Sequence, residues 1–186
     1  SPDGKFIAYS CRKLTGKKYA FSTDTEIYIY NTATGSTGVI DMKGGYDTDP
    51  VWSPDGSRIC WISMERDGYE ADKQRLMVAD MNWSDVTMPK AENIRDLTSA
   101  FKYNAAGPVW SSDSRSIYFA SLAEGLQGIF KACAEEGSIE RLTAEDAWYD
   151  FGSPFHIVSG EDGSETLYTT WCSMDFPTEL VAVKTG

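Results

Sequence analysis

A short unit, Ser-Pro-Asp-Gly followed by an alternating β-type run, recurs along this chain and constrains its fold more than any other feature. It reads Ser1-Pro2-Asp3-Gly4-Lys5-Phe6-Ile7-Ala8-Tyr9-Ser10, then Ser53-Pro54-Asp55-Gly56-Ser57-Arg58-Ile59-Cys60-Trp61-Ile62, then Ser111-Ser112-Asp113-Ser114-Arg115-Ser116-Ile117-Tyr118-Phe119-Ala120. A degraded fourth copy runs from Ser159 to Thr170, with Asp162-Gly163 at its turn. Pro50-Val51-Trp52 and Pro108-Val109-Trp110 precede the second and third copies. The copies recur at roughly fifty residues, the size of one four-stranded propeller blade.

The residue types explain the unit. Trp52 offers a large apolar body for packing between blades. Pro54 stops a strand because it fixes φ and lacks an N–H. Asp55-Gly56 then turns the chain: the carboxylate accepts from nearby backbone N–H groups, and Gly takes the positive φ. A β-branched and aromatic second strand follows.

Each unit continues into two more strand signals. They are Glu26–Tyr30 with Gly38–Asp41, Arg75–Asp80 with Asn93–Thr98, and Gly128–Cys133 with Ser138–Thr143; after the fourth copy comes Glu179–Val183 alone. The expectation is an all-β fold, a partial β-propeller of about 3–4 blades, each a four-stranded antiparallel sheet with strands A to D from inside out. The blades should lie near 1–43, 44–98, 99–143 and 144–186, in a single propeller segment. The first would lack strand A and the last strand D. That phase suggests a piece of a longer polypeptide, or else a small ring in which the two ends share a blade. Unpaired edges in such a piece would favour self-association.

Composition narrows the partners. Aromatics make up 13% of 186 residues and formal net charge is −11, a field that opposes nucleic acid and anionic lipid. Acidic charge serves solubility, or draws in a basic or N-terminal-amine substrate. No apolar run reaches the length of about 18 residues that membrane insertion needs. Cys11, Cys60, Cys133 and Cys172 contain no C-x-x-C pair, so they read as isolated thiols rather than a zinc site. Asp47 and Asp49 lack the oxygen-ligand spacing of a cation loop, and no metal or cofactor is expected.

Pro-x-Trp-Ser-Pro-Asp-Gly followed by Ile-x-(Tyr/Phe/Trp) resembles the TolB-like propeller repeat. The stretch from Trp61 to Lys73, Trp-Ile-Ser-Met-Glu-Arg-Asp-Gly-Tyr-Glu-Ala-Asp-Lys, is similar to the B-to-C loop of propellers in the prolyl oligopeptidase family, particularly bacterial dipeptidyl and acylaminoacyl peptidases. The resemblance implies a propeller that caps and gates the active site of an α/β-hydrolase domain of the same polypeptide, with peptide as substrate. It also implies a bacterial, periplasmic or secreted protein, a cytoplasmic one being the alternative. The other reading is a stand-alone TolB-like periplasmic module that binds protein or ligand. The chain itself shows no G-x-S-x-G elbow. His156, its one histidine, reads as structural, so the chain alone is expected not to catalyse.

By the same resemblance, the D-to-A and B-to-C loops face the chemistry and the Ser-Pro-Asp-Gly turns face away. The D-to-A loops are read as Met42–Asp49, Ser99–Ala106 and Ala144–Phe151. Candidate substrate-facing residues are then Arg66, Tyr69, Glu70, Tyr103, Glu145, Asp146, Trp148 and Asp150. Related dipeptidyl peptidases hold the substrate's free N-terminus with adjacent glutamates. Tyr69-Glu70 and Glu145-Asp146 are loose analogues of that pair, a carboxylate being the natural partner of an ammonium group. The plainer reading of each is a solvated loop charge. For the aromatics it is packing between blades.

Overall fold

The computed structural model describes residues 1–145, 150–152 and 155–185. Its turns show why the repeat is spelled as it is. Ser53 N–H donates to the Arg58 carbonyl (2.9 Å), and Arg58 N–H donates to Ser53 Oγ (2.9 Å). Ser53 Oγ–H in turn donates to Asp55 Oδ1 (2.6 Å), which also accepts from Ser57 N–H (2.9 Å). The third copy repeats this set with Ser111, Asp113, Arg115 and Ser116, its hydroxyl-to-carboxylate bond again 2.6 Å. The first repeats it with Ser1, Asp3, Lys5 and Phe6. Gly4, Gly56 and Gly163 sit at φ 73°, 70° and 81°, and Ser114 occupies the same left-handed region at 62°. The Asp residues are turn formers, as expected. The serine is the second half of the device, closing the mouth of the hairpin with a backbone pair and a side-chain pair.

These hairpins build four antiparallel sheets. The first joins β1 (Phe6–Cys11), β2 (Glu26–Asn31) and β3 (Thr37–Ile40), with a one-turn helix α1 (Lys17–Phe21) between β1 and β2. The second orders β4 (Tyr46–Trp52), β5 (Arg58–Met64), β6 (Arg75–Asn82) and β7 (Lys90–Asp96) as a meander. The third does the same with β8 (Ala106–Trp110), β9 (Ser116–Ala123), β10 (Leu126–Cys133) and β11 (Ile139–Arg141). In the fourth, β12 (Asp150–Phe151) and β13 (His156–Ser159) lie along one side of β14 (Glu165–Cys172), and β15 (Glu179–Lys184) along the other. The strands are those of a partial β-propeller: B to D, A to D, A to D, and A to C.

Two inner strands share an irregularity. Between β4 and β5 the register shifts between Thr48 and Val51, and between β8 and β9 it shifts between Ala106 and Val109. The residues inside are Asp49-Pro50 and Gly107-Pro108, with Asp49 at φ 53° and Gly107 at φ 58°. Proline cannot donate to a ladder, so it is tolerated where a bulge removes the ladder bond. These bulges extend strand A beyond its expected start. Tyr46, Asp47, Thr48 and Asp49 belong to β4 rather than to a loop, and Asp150 and Phe151 to β12. The expected strand from Pro154 to Val158 begins at His156 as β13, with Pro154 outside the described residues. Helix α1 has no counterpart among the expected elements.

The chain divides into two compact units, Ser1–Asp96 and Leu97–Gly186. In the first, Phe6, Ile27, Ile29, Ile40, Ile59, Trp61, Met77, Ala79 and Met81 form the core between two sheets. Trp83 lies between Phe6 (centroids 5.4 Å apart) and Trp52 (6.0 Å), and its indole N–H donates to the Gly56 carbonyl. In the second unit Tyr118, Ala120, Ile129, Phe151, Phe155 and Leu167 play the corresponding part. There Tyr118 O–H and Ser112 N–H both donate to Glu165, joining the two hairpin turns. All four cysteines are free thiols, with Cys60 buried.

Candidate functional site

In the first unit the connections β1–β2 and β5–β6 carry the candidate residues and are tied together by one carboxylate. Asp67 accepts from Ser22 Oγ–H (2.8 and 2.9 Å), Thr23 N–H (2.7 Å) and Asp24 N–H (3.1 Å), while Gly68 N–H donates back to Thr23 Oγ1 (2.8 Å). These donors hold the Asp67 carboxyl below the usual carboxylate range. Asp67-Gly68 is itself a turn, with Gly68 at φ 75°.

Within the same loop Arg66 forms a bidentate pair with Asp72, Nη2 to Oδ1 at 2.8 Å and Nε to Oδ2 at 3.2 Å. Its guanidinium also stacks over the Tyr69 ring at 4.1 Å. The Arg66 hydrogen bonds lower the Asp72 carboxyl to about 2. Arg66 and Tyr69 are therefore brought together, but they are engaged with each other and with Asp72. Glu70 is placed differently. It lines a cavity of about 350 Å³ with Arg12, Thr23, Tyr46 and Met64. That cavity has an arginine and a carboxylate in its wall and a Tyr46–Met64 cross-strand pair as its floor. Arg12 is steadied by donating from Nη1 to the Tyr19 carbonyl (2.9 Å), and α1 presents Lys17, Lys18 and Phe21 to solvent beside it.

Next to Tyr46 in the chain is a fully buried acid. Asp47 is 0% exposed, and its Oδ1 accepts from the Trp61 indole N–H at 3.2 Å. Its Oδ2 has no hydrogen-bond partner among the described residues. Burial pushes its carboxyl up to about 7; the nearby Glu26 adds to this, and Ser63, Trp61 and Arg75 work against it.

In the second unit, Tyr103 and Glu145 share a cavity of about 670 Å³ whose wall includes Phe101, Phe130, Glu124 and Arg141. Phe101 is the hub of its aromatic floor, edge-on to Tyr103 (5.4 Å), Phe119 (5.7 Å) and Phe130 (5.2 Å). Tyr103 O–H and Lys102 Nζ both donate to Glu124, which holds that carboxyl low. The Arg141 guanidinium is fixed by the Thr143 and Ala144 carbonyls and crowds Gly128, where a Cβ would meet it at 3.0 Å. Asp150 is exposed on β12 and does not line this cavity. Asp146 and Trp148 lie outside the described residues. Both volumes fall within the ordinary range for small-molecule and peptide-end pockets.

Sequence reasoning passed over Arg12, Asp67, Phe101, Glu124 and Arg141. Asp67 carried a readable signal, since Asp-Gly in a loop marks a turn whose carboxylate seeks N–H donors. The others carried none, because their roles depend on which strands become neighbours. Among the described residues no group of three or more His, Cys, Asp or Glu could hold a metal ion.

No protein-family model matches the chain. Among curated proteins it is 42% identical over 144 residues to dipeptidyl-peptidase 5 of Porphyromonas gingivalis, across 77% of this chain and 20% of that protein. The chain thus spans about a fifth of the length of that relative. Among solved structures it superposes on a puromycin-hydrolysing peptidase of Mycobacterium tuberculosis with a TM-score of 0.67 and 16% identity, covering 99% of this chain and 30% of that one. A putative TolB from Agrobacterium tumefaciens gives a TM-score of 0.62 and 20% identity, over 100% of this chain and 59% of that one.

Proposed function

We propose, from a chain that carries TolB-like propeller repeats and is homologous to dipeptidyl-peptidase 5, that it is the propeller segment of a prolyl oligopeptidase-type serine peptidase. In this reading it caps the hydrolase active site and gates access to it, and does no chemistry of its own. The homology to dipeptidyl-peptidase 5 carries the reading. The geometry supports it: Glu70 lines a cavity suited in size to the end of a peptide, with Arg12 in the same wall. A carboxylate there attracts a free amino terminus, and the arginine offers donors to a peptide carbonyl or carboxylate. The acidic net charge of −11 favours the approach of an ammonium group over long range. A periplasmic or secreted location goes with this reading, and fractionation of the producing cells tests it.

The discriminating experiment uses the whole parent protein. A serine-directed fluorophosphonate should label it, while the 186-residue chain by itself stays unlabelled. In the parent, Glu70→Gln should raise KM for substrates with a free amino terminus and leave kcat nearly unchanged, since the lost contact is made equally in ground and transition states. A parent that takes up no label sinks the peptidase reading and leaves a binding module. Unchanged KM removes Glu70 from the gate.

A further inference from the structure

The buried acid next to Tyr46 is carried on backbone that is tied to the β1–β2 connection. Asp47 N–H donates to the Thr25 carbonyl (3.1 Å), and Thr25 Oγ1–H donates to the Asp47 carbonyl (2.8 Å). Thr25 N–H also donates to the Gly45 carbonyl (3.2 Å). The backbone carrying Asp47 therefore anchors the end of the β1–β2 connection, and Thr23, two residues earlier, is a wall of the cavity. Tyr46, next in the chain, is its floor, paired across the ladder with Met64.

We propose that Asp47 is a proton-operated latch on this cavity, closed while its carboxyl is neutral and loosened when it is ionised. When neutral, the carboxyl accepts from the Trp61 indole through Oδ1 and carries no charge on the unpartnered Oδ2. When its proton leaves for solvent, the negative charge is favoured by Ser63, the Trp61 indole and Arg75, but burial outweighs them. Oδ2 stays without a hydrogen-bond partner among the described residues, and a buried charge so incompletely paired is costly.

The charged groups around it do not outweigh burial. Glu26 on β2 adds like charge, and burial raises its own carboxyl and that of Asp24. Arg75 on β6 acts on Asp47 as a cation, but its guanidinium already donates to Ser63 Oγ (3.2 Å) and pairs with Glu65 (3.6 Å). On β5 the only charged residue, Arg58, pairs with Asp80. β1 carries no charged side chain, and on β4 itself only Asp49 does. Hydration of the new charge then draws the Tyr46–Thr48 segment away from Thr25. The burial that pushes the carboxyl up to about 7 puts the transition in the neutral range.

The consequence for peptide binding rests on the reading of the cavity given above, but the latch does not. The test follows the Trp61 indole N–H by NMR from about pH 5 to about pH 9, assigned with Trp61→Phe, together with the amide protection factors of Thr25 and Asp47. The expected result is one titration centred near pH 7, with protection falling about tenfold across it. Asp47→Asn should abolish the titration and keep the high protection at alkaline pH. A midpoint below about pH 5 overturns the latch, as does a titration that persists in Asp47→Asn or protection that is flat across the midpoint. If Asp47→Asn fails to fold, the wild-type curve alone decides. An intact titration in a protein whose Glu70→Gln variant binds substrate normally would sink the peptide-end reading and leave the latch standing.

Discussion

Asp47 shows how one residue can set the pH response of a blade. Its folded carboxyl sits at about 7, against an ordinary value of 3.8, so the folded chain holds a proton that the unfolded chain has already lost. Between those two values stability falls as pH rises, and above the folded value the loss is complete. Asp47→Asn removes that slope and should be more stable than wild type at pH 8, by about 2 to 4 kcal/mol if the group stays fully buried. Urea unfolding of both proteins at several pH values measures it. Gly45 is the opposite case. At φ 117° a Cβ would lie 2.3 Å from the Met64 carbonyl oxygen, which belongs to backbone and cannot move aside. Gly45→Ala should cost about 2 to 4 kcal/mol, read as a lowered denaturant midpoint. Neither role was legible in the sequence. Asp47 sat in what read as a loop, because Pro50 seemed to open strand A and the bulge that readmits the strand before it leaves no mark in composition.

At the scale of the element, the repeat spelled the A–B hairpins correctly, turn by turn, because each is closed by residues within six positions of one another. The B–C connections resisted for the converse reason. Helix α1 has a glycine before it and no side-chain cap, so nothing local announces it. The β1–β2 and β5–β6 loops are defined by each other through Asp67, a contact across more than forty residues. Asp67→Ala should therefore loosen both loops together, raising amide exchange at Ser22–Asp24 and at Gly68 while the β4–β5 ladder keeps its protection. Exchange that rises in only one of the two loops would show that they are held separately. Arg66 and Tyr69, read as substrate-facing, also fasten their own loop through Asp72. Tyr103 and Glu145, read on successive D-to-A loops, line one cavity.

For the whole molecule, the blade count and strand phase followed from periodicity alone, whereas the two cavities depended on loop packing that periodicity does not encode. A formal charge of −11 on 186 residues makes self-repulsion a property of the whole chain. Raising ionic strength from about 0.02 to about 0.3 M at pH 8 should raise Tm by a few degrees by screening that repulsion. A Tm that falls instead would mean that ion pairs such as Arg58–Asp80–Arg95 outweigh it.

The serine that closes the first three hairpins has a further consequence, for how such a chain acquires its shape and its length. Ser53 and Asp55 meet partners only as far away as Arg58, so this turn can form before any blade has found its neighbour, at little cost in loop closure. A turn of this kind is thus a local starting point for folding. A blade with that local start can be copied or lost as a unit without rewriting the rest, which is the physical footing on which a lineage of propellers can change its number of blades.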